Sequence, residues 1–126
     1  MQEIIITTKR RIEVLDITDD VKRIVSGSGL VLIYSPHTTT SVIINEAESG
    51  LIEDLINTLS RLIPEDIDYE HNRVDRNADS HLRSMILGNS VVVPVEDGTL
   101  RLGTWQRILF IELDGPRKRR VFIKVL

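Results

Sequence analysis

Leu30-Val31-Leu32-Ile33-Tyr34-Ser35-Pro36-His37-Thr38-Thr39-Thr40-Ser41-Val42-Ile43-Ile44 sets two short apolar runs around a strip of hydroxyl side chains. Runs of that length, rich in branched side chains and without a helical period, read as buried strands. Over 47–63 the period changes. Leu51, Ile52, Leu55, Ile56, Leu59, Leu62 and Ile63 fall on one side of a helix, and Pro64 stops it. Strand, polar strip, strand and helix in that order predict a mixed fold.

Working outward, 2–8 and 11–15 are rich in Ile, Val and Thr and predict strands. Thr18 before Asp19 and Asp20 predicts a capped short helix with Val21, Ile24 and Val25 on its apolar side, closed by Gly27 or Gly29. Asn45 is expected to cap the long helix, with Glu46 near its positive end. The segment 64–80 is polar and acidic, a length at which a connector usually has a function. A further helix over 79–87 ends at Gly88-Asn89. The last third predicts strands over 91–95, 99–102, 106–113 and 120–125, joined at Asp97-Gly98 and Asp114-Gly115-Pro116 into an antiparallel meander. The expectation is one α+β domain over 1–126, mostly antiparallel, with two or three helices.

Bulk properties narrow the function classes. The chain has 126 residues, 41% hydrophobic and 28% charged, which suits one folded domain and neither disorder nor a membrane protein. No apolar run approaches the roughly 20 residues that span a bilayer. A net charge of −3 and only 4% aromatic residues argue against nucleic-acid binding. There is no cysteine, so disulfides and thiolate metal sites are excluded. Met1-Gln2-Glu3-Ile4-Ile5-Ile6 lacks the pattern of a signal peptide, which leaves a cytoplasmic location as the expectation.

The chemistry gathers around the three histidines. His71 and His81 bracket Asp75-Arg76-Asn77-Ala78-Asp79, so imidazoles and oxygen donors accumulate in one segment. Neutral imidazoles with a carboxylate suit zinc or another divalent ion when no thiolate is present, although the ten-residue spacing matches no tight ligand motif. His37 alone reads more readily as a histidine hydrogen-bonded to a threonine in a loop or at a strand end. Asp75-x-Asn77-x-Asp79 resembles the opening of a calcium loop, but the required glycine and glutamate are replaced by Ser80 and Ile86. The G-x-x-x-x-G-K-[ST] phosphate loop is absent.

Two further stretches carry polar groups. In Gly98-Thr99-Leu100-Arg101-Leu102-Gly103-Thr104-Trp105-Gln106, the backbone at Gly103 and Thr104 and the Gln106 side chain are candidates for an anionic ligand. Trp105 reads as a core anchor. In Glu112-Leu113-Asp114-Gly115-Pro116-Arg117-Lys118-Arg119-Arg120, the basic turn reads either as a solvated tip or as a phosphate clamp. Glu112 and Asp114, two apart on a strand, share a face and are candidates to hold Mg²⁺ against a diphosphate.

Ser35-x-His37-Thr38-Thr39 with Asn45-Glu46, then Tyr69-x-His71, Asp75-x-Asn77-x-x-x-His81-Leu82, Gly103-Thr104-Trp105-Gln106 and Glu112-x-Asp114-Gly115-Pro116-Arg117-x-Arg119 together resemble the YjbQ-like family, in order and over nearly the whole chain. Relatives often carry Asp-Asn directly before Ala, so either Asp75 or Asn77 takes that role here. The resemblance implies a β-sandwich-like fold, a homotrimer, and a polar pocket near a subunit boundary. It also implies secondary thiamine-phosphate synthase activity, joining a hydroxymethylpyrimidine diphosphate to a thiazole phosphate with release of pyrophosphate. On this reading His37, His71, His81 and Glu112 are catalytic, and the histidines hold a divalent metal, zinc or magnesium. Thr38, Thr39, Asn45, Asn77, Gly103, Thr104, Gln106, Asp114, Arg117 and Arg119 then bind the phosphorylated substrates. Two other classes compete with it: a metal-dependent hydrolase, and a non-enzymatic trimeric binding protein for a small anionic metabolite.

Overall fold

The computed structural model describes all 126 residues. Eight strands form two antiparallel sheets. The larger contains, in spatial order, β1 (Gln2–Thr7), β8 (Lys118–Val125), β3 (Gly29–Tyr34), β5 (Ser90–Glu96) and β6 (Thr99–Leu100). The smaller contains β2 (Glu13–Asp16), β7 (Arg107–Glu112) and β4 (Thr40–Asn45). Alternate residues of the two sheets meet in one core: Val31, Ile33, Val93, Val121 and Ile123 face Val42, Ile108 and Phe110. Helix α1 (Thr18–Ile24) adds Val21 to that layer. The predicted α+β, sandwich-like class is the class observed.

Helices α2 (Ser49–Leu62) and α3 (Ala78–Leu87) lie on the smaller sheet's other side, where Leu55, Leu59 and Leu87 pack with Ile43, Ile111 and Leu113. That explains why β7 is apolar at consecutive positions. Ile108 and Phe110 face the sandwich core while Leu109 and Ile111 face the helical layer, so both sides of the strand are dry. No helix is long and apolar enough to cross a membrane.

Several local expectations are corrected. The C-terminal third is not a meander, because β7 lies in the other sheet and β8 pairs with β1 and β3. Asn45 does not cap α2. It ends β4, its Oδ1 accepts from the Glu46 amide, and the cap is Glu48, which accepts from Gly50 and Leu51. Thr18 opens α1 from within the helix, and its hydroxyl accepts from the Ile108 amide. The polar segment contains a 3₁₀ turn, Glu70–Arg73, that carries no apolar period to betray it.

The sheets are tied together at one end by a buried ion pair. Glu112, fully buried at the end of β7, accepts from Arg119 Nε at 2.9 Å and Nη2 at 2.5 Å, and from Thr8 Oγ1 at 2.8 Å. The Asp114 amide supplies a further bond at 3.1 Å. Burial alone would raise the Glu112 carboxyl's pKa, but Arg119, Thr8 and the Asp114 amide outweigh it and hold it below its ordinary value. Next to it, a Cβ on Gly115 would stand 2.3 Å from the Arg10 carbonyl oxygen and 2.8 Å from Glu112 Cγ, so only glycine fits this crossing.

Breaking the pair by Glu112→Ala leaves Arg119 buried and uncompensated and is expected to cost about 3–5 kcal/mol in urea unfolding at neutral pH. Replacing both partners with apolar residues is expected to cost less than the sum of the single changes. Because the folded-state value lies below 4.5, the carboxylate's contribution is complete above that pH and is lost as pH falls through the folded value. Equal stability of Glu112→Ala and wild type would remove the pair from its structural role.

Candidate active site

The end of the sandwich marked by Glu112 gathers most of the polar residues. Asn77, buried just before α3, joins two of them. Its Nδ2 donates to Asp114 Oδ2 at 2.9 Å, which fixes the amide's orientation and turns Oδ1 toward His71 Nε2 at 3.0 Å. An amide oxygen accepts only, so His71 carries its proton on Nε2, and in the neutral ring Nδ1 keeps a lone pair. Of Asn77 and Asp75, it is Asn77 whose side chain bonds His71 and Asp114.

His81, from the first turn of α3, stands edge-on to His71 with ring centroids 4.7 Å apart. The two imidazoles line a cleft of about 460 Å³ with Tyr69, Glu70, Leu82 and Met85. Arg117 leans on the other side of Asp114, with Nε donating to its carbonyl at 3.0 Å and Nη2 to Oδ2 at 3.3 Å. Arg11 was missed as a site residue by the sequence reading, which placed it only at the start of the strand expected over 11–15. It holds Asp79 through two bonds of 3.0 and 3.1 Å and comes within 3.9 Å of Asp114. Those bonds raise the guanidinium's pKa, against its own desolvation, and lower that of Asp79 despite the burial that opposes it.

His37 lies apart from this cleft. Its Nε2 accepts the backbone N–H of Arg120 at 2.9 Å, and the ring lines a second cleft of about 350 Å³ with Thr38, Ser84, Met85, Gly88 and Asn89. Its pKa is lowered, first by desolvation and then by the nearby positive charges of Arg119 and Arg120, against the opposing charge of Glu112. The three histidines do not converge, and no three histidine or carboxylate side chains are placed to hold a metal ion within the chain. The donor set of one chain does not fit zinc or magnesium, since His37 has committed Nε2 and Glu112 both of its oxygens.

Other expected site residues separate by position. Arg119 is 3% exposed, and its Nε and Nη2 donate to Glu112 and, at 2.8 Å, to Thr39 Oγ1, so those groups are committed within the chain. Glu112 is fully buried, with both oxygens bonded within the chain. Thr40 pairs with Glu112 but Asn45 pairs with Arg107, five residues along the same ladder. Asn45, Gly103, Thr104 and Gln106 are thus at the far end of the sheet, about 17 Å away. There the Gly103 amide donates to Gln106 Oε1 at 2.9 Å, closing the turn on itself. Trp105 is no core anchor. It is 72% exposed, beside Thr104, Glu46, Glu48 and Arg107, in a setting too acidic for a phosphate site.

Comparison with known proteins gives one consistent result. Residues 2–126 match the family model described as UPF0047 protein YjbQ-like. A UPF0047 protein of Archaeoglobus fulgidus is 58% identical over 98% of this chain and 99% of its own. The UPF0047 protein YugU of Bacillus subtilis is 38% identical, over 96% of this chain and 95% of its own. Among solved structures, a hypothetical protein from Aeropyrum pernix superposes with a TM-score of 0.95 at 44% identity, covering 99% of this chain and 96% of that one.

The hydrogen bond from Arg120 makes a prediction for His37. With Nε2 as an acceptor the ring must be neutral and protonated on Nδ1, and its pKa must lie below 6.5. The unfolded chain then binds a proton more readily than the folded one. This site's contribution to stability is complete above 6.5 and is lost as pH falls through the folded value. Nitrogen-15 shifts of the imidazole near neutral pH are expected to show the Nδ1–H tautomer, and an Nε2–H signal would contradict the assignment.

Proposed function

This chain belongs to the UPF0047 YjbQ-like family, and from the meeting of His71, Asn77, His81, Asp114 and Arg117, residues of the stretches that carry the resemblance, we propose that it is a transferase for phosphorylated small molecules. The reaction proposed is of the secondary thiamine-phosphate synthase type. The observation that carries the reading is the Asp114–Asn77–His71 chain of hydrogen bonds, 4.7 Å across the rings from His81 and one residue contact from Arg117.

The proposed chemistry follows from those groups. The carbon–oxygen bond of the pyrimidine diphosphate breaks, pyrophosphate leaves with the electron pair, and a thiazole nitrogen forms the new carbon–nitrogen bond. Charge grows on the leaving oxygens, where a guanidinium such as Arg117 and a proton from an imidazole lower the barrier. His81 has no partner within the chain and is assigned as that donor. His71, its tautomer held by Asn77, is assigned to accept or return protons through Nδ1. The walls contributed by Tyr69, Leu82 and Met85 give an aromatic ring an apolar surface. The metal-dependent hydrolase reading loses ground because one chain assembles no three-donor set.

A homotrimer belongs to the same proposal. Two surfaces support association. The outer face of the larger sheet exposes Ile5, Leu30, Tyr34 and Val92, and the rim of the histidine cleft exposes Met85 and Ile86. Contiguous apolar surface of this kind marks contact sites in soluble proteins.

Supplied with the two phosphorylated precursors, the protein is expected to release pyrophosphate and form the joined product. His71→Ala and His81→Ala are each expected to slow turnover by about 10²–10⁴-fold, and Arg117→Ala to raise KM for the diphosphate. Absence of product from the wild-type protein overturns the transferase, and unchanged turnover in both histidine variants overturns the site. Light scattering is expected to give about three times the chain mass of 14.3 kDa, and a monomer at all concentrations would remove the trimer.

A further inference from the structure

The cleft around His37 is not used by the chemistry assigned above, and its side chains share one property. The ring of His37 is placed by the end of a β-ladder. Strands β3 and β8 pair as far as Tyr34 with Phe122, and two positions further in that register Pro36 would stand against Arg120. The strand has ended there, so the Arg120 N–H has no carbonyl opposite it, and His37 Nε2 fills the vacancy at 2.9 Å. That bond leaves Nδ1–H as the ring's outward group, with no acceptor within the chain.

Two neighbours are in the same condition. Thr38 is exposed at the cleft and its hydroxyl is unpaired, and the Asn89 side chain likewise makes no bond within the chain. Ser84, by contrast, is spent on the Thr40 carbonyl at 2.6 Å. No carboxylate lines this cleft. Donors from an imidazole, a hydroxyl and a primary amide, in a wall without negative charge and close to Arg119 and Arg120, suit an acceptor-rich anion. Met85, 74% exposed, lines this cleft and the His71–His81 cleft alike, so the two are adjacent pockets divided by one flexible side chain.

We propose that the His37–Thr38–Asn89 cleft is a phosphate subsite, in which neutral His37 donates from Nδ1, adjoining the reaction cleft across Met85. This deepens the transferase reading and rests on it for the second substrate. A reaction that joins two phosphorylated molecules needs two seats, and this one holds a phosphoryl group that is not broken. His37 is then a binding residue of fixed tautomer, and neither a metal ligand nor a proton donor to the leaving group.

Two near-isosteric replacements separate the ring's nitrogens. An asparagine amide can take the place of Nδ1–H, whereas a glutamine reaches the Nε2 position and can accept from Arg120. Inorganic phosphate and pyrophosphate are titrated calorimetrically into wild type, His37→Asn, His37→Gln and Thr38→Val, with thermal unfolding run alongside. Wild type is expected to bind at least one of these anions. His37→Gln is expected to keep its melting temperature but to weaken anion binding about tenfold, the loss of one hydrogen bond to a charged group. His37→Asn is expected to bind more tightly than His37→Gln, although it melts lower. The reverse order, or binding equal to wild type in His37→Gln, overturns the proposal, as does a wild type that binds neither anion. His71→Ala distinguishes the two readings. It is expected to lose turnover and keep anion binding, so normal anion binding with no transferase activity in the wild type removes the reaction and leaves the subsite standing.

Discussion

The Glu112–Arg119 pair is the constraint on which the rest of this molecule is arranged. Glu112 closes the central strand of the smaller sheet, and Arg119 opens the strand that the larger sheet needs at its second position. Bonding them at 2.9 and 2.5 Å fixes how the sheets meet at that end. Thr8 and the Asp114 amide complete the carboxylate, and Thr39 accepts a further bond from the guanidinium. A buried pair of this kind gives little net stability, since desolvation consumes most of the attraction. What it secures is position, because each of the three groups that bond to it lies beside a segment that carries a site residue.

Those segments follow directly. Asp114 is held by its own amide against Glu112, and through Asn77 it sets the tautomer of His71. Arg119 brings Thr39 to the sheet, which leaves Thr38 and His37 at the surface, and it is followed by Arg120, whose amide sets the tautomer of His37. One ion pair thus has two imidazoles downstream of it with opposite nitrogens committed. His71 is protonated at Nε2 and basic at Nδ1, whereas His37 is basic at Nε2 and presents Nδ1–H. The same residue type is prepared for different work by which side its fixed neighbour occupies.

Where the sequence could be read, a periodic signal was present. The α2 helix and the β3 and β4 runs were legible because apolar side chains repeated at 3.6 or in unbroken short runs, and the α+β class followed, while the sandwich-like arrangement came from the resemblance. The meander failed because adjacency in sequence says nothing about which sheet a strand joins, and β7 is apolar at successive positions for the reason that it is covered on both faces. The site residues divided in the same way. His71, Asn77, His81, Asp114 and Arg117 were gathered by resemblance and do meet. Glu112 and Arg119 had the right chemistry for a site, but each is the other's partner, and charge in a sequence does not reveal burial. Arg11 lay outside any motif, and nothing short of the fold brings it to Asp79.

Trp105 is the reverse case and has the wider consequence. A lone tryptophan is a reasonable core residue by composition, yet this one stands in water at the far end of the β4–β7 ladder, with its turn closed by Gln106 and with Asn45 and Glu46 beside it. The signature that looked like one pocket in the sequence is two surfaces at opposite ends of the same strands. Within one chain no small ligand spans roughly 17 Å of sheet to touch both. The Gly-Thr-Trp-Gln turn therefore does not act on the histidine cleft of its own chain. The far end is an exposed indole among acidic side chains, whereas the histidine end carries two open clefts lined by imidazoles whose tautomers are fixed by their neighbours.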